Sequence, residues 1–228
     1  MRYLALAVII TMLACVPAFG ASSFLGGFSG AILTPDGLVI PEGSWDISFH
    51  DFTDLLGDTN LSAFGVTYGA VENLEIGVSF LNDHHNQTAI NGKYRVVTES
   101  AQSPGVVVGV FDAAGSVGFL NTDPGLYLLV SKNITPVASE VAGRPSKPLR
   151  LTVGAGSGVF DGIFAGLDWT MAPQLSLMAE FFNGKVGGNN SSVNVGLRYA
   201  ATDALRLDVA TIDFEDIAFG ANYRFALK

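Results

Sequence analysis

The feature that most constrains the fold is an alternation of apolar and polar residues that recurs with a period of two through most of the chain. In residues 192–200, for example, Val193, Val195, Leu197 and Tyr199 alternate with polar or small residues. Successive side chains of a β-strand point to opposite faces, so this pattern predicts strands with one apolar face. No comparable stretch combines a helical period with capping residues, and we therefore expect few helices.

Twelve segments fit this description, which predicts an all-β protein. None of the eight prolines that follow Pro17 falls inside a predicted strand, and Pro104 only opens one. This agrees with the exclusion of proline from paired strands. The predicted strands lie near residues 44–52, 61–69, 73–82, 88–98, 104–112, 125–134, 149–157, 161–171, 174–182, 192–200, 204–212 and 216–227.

Composition and connection lengths together favour an antiparallel transmembrane β-barrel with an even number of strands and both termini in the periplasm. Charged residues make up only 14% of the 228 residues, against about 25% in average globular chains. No apolar run reaches the 18 or more residues of a spanning helix. Connections after even-numbered strands are mostly tight and those after odd-numbered strands mostly long, as in outer-membrane barrels. Residues 135–148 and 213–215 depart from this rule.

The positions of the aromatic residues separate a membrane barrel from a soluble β-sandwich. Both tryptophans lie on the apolar face and map to the short-turn side, whereas sandwiches place aromatic residues in the core. A ring of outward aromatic residues near one end of a barrel is typical of the membrane–water interface. The predicted aromatic girdle consists of Trp45, Tyr68, Trp169, Tyr199, Tyr223 and Phe225.

The first twenty residues predict a secretory signal peptide and hence Sec export. Arg2 precedes an apolar stretch, Leu4–Val16, and the small residues Ala18 and Gly20 suit cleavage after Gly20. Cys15, the single cysteine, would then leave with the peptide. The alternative is a lipoprotein in which Cys15 carries the lipid. We accordingly divide the chain into a signal peptide (1–20), a Gly-rich segment that is either a plug or a periplasmic extension (21–43), and a barrel (44–228).

Charged residues on the inward faces of the strands predict a charge network inside the barrel. These charges either form a structural network or line a hydrated lumen, in which the arginines would bind an anionic solute or glycan. We expect inward positions to be mostly small or charged, so that water or the segment 21–43 must fill the lumen. Glu180, Arg198, Arg206 with Asp208, and Arg224 are expected to form a ladder of alternating charge. The predicted network comprises Arg150, Glu180, Arg198, Arg206, Asp208 and Arg224.

No residue pattern predicts a catalytic set, a cofactor site or a metal site. His84 and His85 are adjacent, point opposite ways in an extended chain and lack a third ligand nearby. His50 lies inward, two residues from Ser48, and keeps open the alternative of a barrel enzyme that modifies envelope lipids. Such an enzyme needs a nucleophile, a base and an orienting group, and no third member is evident.

The start of the predicted mature chain resembles YjbH-type outer-membrane proteins. Residues 30–37 (GAILTPDG), residues 40–43 (IPEG) and the strand at 44–52 follow their pattern of Gly, an apolar pair, Thr-Pro and Pro-x-Gly. The resemblance implies a link to exopolysaccharide production or export. Gly220, Tyr223 and Phe225 also match the spacing of a terminal barrel strand, which implies recognition by the barrel-assembly machinery, although residues 226–228 extend beyond the usual aromatic end.

These observations predict a non-enzymatic bacterial outer-membrane barrel, structural or pore-like, that is connected with exopolysaccharide. The expected partners are outer-membrane lipid, the assembly machinery, and a polysaccharide or anionic solute. A net charge of −9 repels nucleic acid. A soluble periplasmic β-sandwich that acts as a binding module is the other alternative.

Overall fold

The computed structural model describes residues 21–53, 60–118, 123–142, 147–183 and 191–226. The predicted signal peptide, Cys15 and the last two residues lie outside these ranges. Twelve strands and one short helix are present in the described part of the chain. The strands are β1 (Ser44–Phe52), β2 (Leu61–Val71), β3 (Leu74–Asn82), β4 (Asn86–Val97), β5 (Gly105–Phe111), β6 (Gly125–Asn133), β7 (Leu149–Gly156), β8 (Gly162–Ala172), β9 (Leu175–Phe182), β10 (Ser192–Ala200), β11 (Leu205–Ile212) and β12 (Asp216–Ala226).

All twelve strands form one closed antiparallel barrel. Each strand pairs with its neighbours in sequence, and β1 pairs with β12 to close the sheet. The predicted barrel and strand number are thereby confirmed, and the alternative of a β-sandwich is wrong. The observed bounds of β1 and β10 are those expected, and the other strands begin or end within two residues of the expected positions.

The two ends of the barrel differ in their connections. We call the end that carries residues 72–73, 173–174 and 201–204 the short-turn end, and the opposite end the long-loop end. The long connection at the short-turn end contains the helix α1 (Thr135–Ala142), which the alternation did not predict.

The tight connection at the long-loop end has a distinct backbone conformation. Asp213 and Phe214 have positive φ values of 52° and 62°. Positive φ at both central residues is characteristic of a type I′ β-turn, whose twist matches that of the flanking strands, and Glu215 N–H closes this turn on Ile212 O (3.1 Å). Within the described ranges, no helix is long and apolar enough to cross a membrane.

The outer face of the barrel is almost free of charge. At outward positions of the twelve strands only Asp51 and Lys132 are charged, and each lies near the end of its strand. Large apolar side chains such as Ile90, Leu126 and Val153 are more than half exposed around the circumference. Soluble monomers rarely expose contiguous apolar patches larger than a few hundred Å².

The six residues of the predicted aromatic girdle all lie on this outer face toward the short-turn end. Trp45 stacks on Tyr68 across β1 and β2, with ring centroids 4.5 Å apart. Tyr223 and Phe225 lie near each other on β12, with centroids 6.1 Å apart. Trp169 and Tyr199 point outward from β8 and β10.

The lumen toward the long-loop end is packed with large apolar side chains, contrary to the expectation of small or charged ones. Phe160, from a short 3₁₀ turn (Gly158–Phe160), is fully buried at its centre. Its ring lies between 5.1 and 6.3 Å from five other aromatic rings. In this half of the barrel the strands carry apolar residues on both faces, so alternation alone did not reveal the inner set. The inward residues include Phe52, Leu61, Leu81, Phe111, Tyr127, Phe164, Phe182 and Ile212.

Candidate functional site: the lumen and the N-terminal segment

The N-terminal segment, residues 21–43, lies inside the barrel. It reaches β1 at the short-turn end and folds back on itself, with backbone hydrogen bonds from Ser23 N–H to Phe28 O (2.9 Å) and from Phe24 N–H to Ile32 O (2.8 Å). Phe24, Ile32 and Leu33 are completely buried against inward-facing residues of the strands. The segment therefore occupies the middle of the lumen in this structure.

Glycines on both surfaces bring the segment close to the wall. Gly26 and Gly27 have positive φ values of 70° and 68°, a conformation that favours glycine. A Cβ added to Gly77 on β3 would lie 2.0 Å from the Gly27 carbonyl oxygen, and one added to Gly65 on β2 would lie 2.4 Å from Gly27 N. The wall has no room for side chains at these positions while the segment is in place.

Glu180 on β9 binds one part of the segment through its backbone. Its carboxylate accepts hydrogen bonds from the N–H groups of Ile32 (3.3 Å), Leu33 (2.8 Å) and Thr34 (3.1 Å). The Thr34 hydroxyl (2.7 Å) and the Asn194 amide (2.8 Å) also donate to it. The carboxylate is buried, and these donors compensate its loss of hydration.

Glu75 on β3 binds a second part in the same manner. It accepts hydrogen bonds from Ser29 N–H (2.7 Å) and Ile40 N–H (2.8 Å). Lys93 on β4 lies 3.6 Å from Glu75 and 3.2 Å from Asp36, and its ammonium group donates to the Ser29 carbonyl (2.8 Å). Two buried carboxylates on different strands thus hold the segment through its own N–H groups.

Arg198 on β10 joins the wall, the segment and a histidine. Its Nε donates to Asp208 Oδ1 (2.8 Å), and its terminal nitrogens donate to the Ser22, Gly30 and Ala31 carbonyls at 3.2–3.3 Å. Asp208 also lies 3.2 Å from His50 Nε2. The segment therefore occupies hydrogen-bond donors of Arg198 that the sequence analysis expected to be available to a solute.

The predicted ladder of alternating charge is only partly present. Arg198 pairs with Asp208, but Glu180 binds the N-terminal segment and no arginine among the described residues. Arg224 pairs with Asp46 (2.9 Å), which also accepts from the Ser22 hydroxyl (2.7 Å). The reason is that the segment supplies backbone donors and acceptors that compete with the side chains.

Arg206 on β11 differs from the other arginines of the predicted network. It is 5% exposed, and its Nη1 is buried with no hydrogen-bond partner in the part of the chain that the structure describes. No carboxylate of those residues lies within ion-pair distance of it.

His50 lies in an enclosed position rather than at a surface. The ring is fully buried and stacks on Phe24, with centroids 4.3 Å apart and planes 17° apart. Ser48 Oγ is also buried and makes no hydrogen bond to His50 or to any other described residue. Within the described ranges no group of three or more His, Cys, Asp or Glu side chains could hold a metal ion.

A cavity of about 230 Å³ lies between the N-terminal segment and the short-turn end. Arg150, Arg198 and Arg206 line it together with Asp36 and Asp168. It reaches the rim of the barrel, because the turn residues Pro148, Pro173 and Gln174 also line it.

At the rim beside this cavity, Arg150 is paired with Glu99, whose carboxylate lies 2.7 Å from it and also accepts from Asn133 N–H (2.7 Å). Burial alone would raise the pKa of Glu99, but the Asn133 and Arg150 hydrogen bonds hold that pKa below its ordinary value.

Sequence reasoning placed all six network residues on the inner face but missed what binds several of them. Glu75 and Lys93 occupy inward positions of the same alternation, yet nothing in the sequence indicates that they hold residues 29–40. The signals that could have suggested it are the Gly26-Gly27 pair and the inward glycines Gly65, Gly69 and Gly77 of β2 and β3.

Comparison with solved structures places the barrel among known porin folds. A KdgM porin superposes with a TM-score of 0.55, at 11% sequence identity over 80% of this chain and 99% of that chain. A KdgM porin in complex with disordered oligogalacturonate gives 0.52, at 12% identity over 81% and 99% of the chains. The outer membrane protein Omp33 of Acinetobacter baumannii gives 0.50, at 10% identity over 82% and 99%.

Searches by sequence gave no corresponding relatives. No family model matches the chain, and no curated protein matches it. At 10–12% identity the structural similarity establishes the architecture, and the resemblance to YjbH-type proteins stays a prediction. The chain has the fold of a closed twelve-stranded antiparallel β-barrel, like these outer-membrane proteins, with its own N-terminal segment inside.

Proposed function

We propose that this protein is a non-enzymatic, pore-type barrel of the bacterial outer membrane that its own N-terminal segment closes. The observation that carries the proposal is the occupation of the lumen by residues 21–43, held by Glu75, Glu180 and Arg198. A wall built like that of a porin combined with an internal plug describes a pore in its closed state.

The outer surface supports the membrane location. Its apolar side chains extend around the whole barrel, and the two charged outward residues are near strand ends. Hydrocarbon is the solvent that such a surface matches, and no strand has an unpaired edge because the sheet is closed. The short-turn end, with the chain termini of the barrel, faces the periplasm in this arrangement.

The proposed cargo or partner is a polysaccharide. This part rests on the resemblance of residues 30–52 to YjbH-type proteins and their link to exopolysaccharide. It also draws on the KdgM porin, a barrel of similar fold that was solved in complex with oligogalacturonate.

An enzyme that modifies envelope lipids is the competing function, and the position of His50 argues against it. His50 is enclosed by the strands and by Phe24, whereas membrane lipid contacts the outer face. Replacing His50 with Ala should leave the lipid composition of the host envelope unchanged. An altered lipid profile would support the enzyme instead.

Two experiments test the pore. The purified protein should resist SDS until it is boiled and then shift on a gel, and a protein that stays soluble without detergent would contradict the membrane location. In planar bilayers the full mature chain should show little steady conductance. Glu180→Gln, which places an amide NH₂ opposite backbone N–H donors, should produce opening events.

The matched control for that variant is Glu72→Gln. Glu72 is an exposed glutamate in the turn between β2 and β3, where its carbonyl accepts a hydrogen bond from Arg95. It should behave as the unmodified protein does. Steady conductance of the unmodified chain, or identical traces for both variants, would show that the segment is not a plug that Glu180 retains.

A further inference from the structure

Three arginines lie in a diagonal row across β10, β11 and β12. Arg206 is opposite Ala200 and Asn222, which are each two residues from Arg198 and Arg224. Asp208 pairs with Arg198 and Asp46 pairs with Arg224. Among the described residues, three guanidinium groups therefore share two carboxylates, and the positive charge of Arg206 has no counter-ion.

The unpaired charge of Arg206 lies inside the barrel, where burial of an unpaired charge is energetically unfavourable. Arg206 is 95% buried, since only 5% of it is exposed, and its Nη1 has no acceptor among the described residues. A buried charge is normally paired, and an arginine offers up to five donors in a fixed fork. Arg206 lines the 230 Å³ cavity, which is therefore the space nearest to its guanidinium group that could hold an acceptor.

The other charges of the cavity define what else a ligand must offer. Arg150 is neutralised by Glu99 and Asp36 by Lys93. Asp168, on β8, also lines the cavity and has no ion pair in the described part of the chain. A ligand that binds both residues needs an anionic group to pair with Arg206 and hydroxyl groups to donate hydrogen bonds to Asp168.

We infer that the cavity is a binding site for an anionic sugar, with Arg206 bound to its carboxylate or phosphate and Asp168 to its hydroxyls. Ser176, Gln174 and Thr170 line the same wall and supply further hydroxyl and amide partners. Cleavage after Gly20 would also leave the α-ammonium group of Ala21 at this cavity, because Ala21 lines it. The inference rests on the proposed function only in placing the rim of the cavity in the periplasm.

Calorimetry on the full mature chain in detergent tests the site with glucuronate, glucose 6-phosphate and neutral glucose. Glucuronate or glucose 6-phosphate should bind at least about 10-fold more tightly than glucose, and the tighter of the two identifies carboxylate or phosphate as the preferred group. Arg206→Gln should remove this preference. Arg95→Gln is the matched control, because Arg95 is held by Asn73 away from this cavity.

A second variant keeps the inference testable if Arg206→Gln does not fold. Asp168→Asn retains the shape and replaces the charged acceptor of the sugar hydroxyls with a neutral amide, so glucose and glucuronate should both bind more weakly. Unchanged binding in Arg206→Gln, equal binding of glucose and both anions, or unchanged binding of glucose and glucuronate in Asp168→Asn would each overturn the site. Plug-dependent conductance without anion preference would contradict this site alone. Failure of the boiling-dependent gel shift would contradict the proposed function.

Discussion

Gly77→Ala is the substitution that most directly tests whether the N-terminal segment is seated as the structure shows. The new Cβ would lie 2.0 Å from Gly27 O, while ordinary contacts begin at 3.4 Å, so the segment must retreat by about 1.4 Å, the difference between the two. Ser29 is two residues further along, and a shift of that size would break its 2.7 Å hydrogen bond to Glu75. Overpacking of this kind costs about 1–3 kcal/mol.

Gly92→Ala is the matched control for this substitution. Gly92 lies outward on the neighbouring strand β4, where an added Cβ would contact only Val110 Cγ1 at 3.8 Å. Neither glycine has a positive φ, so both replacements share the gain of about 0.5–1 kcal/mol that Ala has over Gly. The difference between the two variants therefore reports mainly the contact with the segment, with a smaller part from Val66 O on β2, which would lie 2.8 Å from the new Cβ.

The assay combines limited chymotrypsin digestion with bilayer conductance. Gly77→Ala should expose Phe24 and Phe28 to cleavage, identified by mass spectrometry, and should raise conductance, while the boiling-dependent gel shift persists. Gly92→Ala should match the unmodified protein in all three measurements. If Gly77→Ala is cleaved and conducts no differently from Gly92→Ala, the segment does not rest on this wall, and the reasoning fails.

Three further predictions concern stability, each measured as the free energy of unfolding of the protein refolded in lipid vesicles. Phe160→Ala should cost about 3–5 kcal/mol because the ring is fully buried, while Phe214→Ala, at a 68% exposed loop residue, should cost little. Val209→Arg, on the outer face in mid-strand, should cost about 2–4 kcal/mol, and Val71→Arg, at a strand end, about 0–1; equal costs would contradict a lipid-facing wall. The pKa of Glu99 is lowered in the folded state, so its contribution is present above its ordinary value of 4.5 and is lost as the pH falls through the folded pKa. The stability of the unmodified protein should thus decline more steeply below pH 4.5 than that of Glu99→Gln, and parallel pH profiles would refute this.

The barrel could be predicted from the sequence because its wall obeys a local rule. On β10 and β12 every second residue is apolar, because that face contacts lipid. Turn residues interrupt the pattern at regular intervals and mark the strand ends. The half of the lumen around Phe160 could not be predicted in this way. There Phe181 and Phe182 are adjacent and apolar, one outward and one inward, so the pattern carries no information about which face is the core.

The seating of the N-terminal segment lay further beyond sequence reasoning, because the contacts that hold it are made by its backbone. Glu180 recognises Leu33 through an N–H group, across 147 residues of chain, and every residue except proline carries that group. From the sequence pattern, Glu180 is a single inward carboxylate on β9, and the predicted ladder therefore paired it with the neighbouring cation, Arg198. In the structure, the segment turns at Gly26-Gly27 and directs consecutive N–H groups toward that carboxylate. The carbonyls of Gly30 and Ala31, directly before those N–H groups, accept hydrogen bonds from Arg198, so the segment supplies polar partners to a charged group of each sign. Arg206, which the segment does not reach, is therefore the charge left for a ligand.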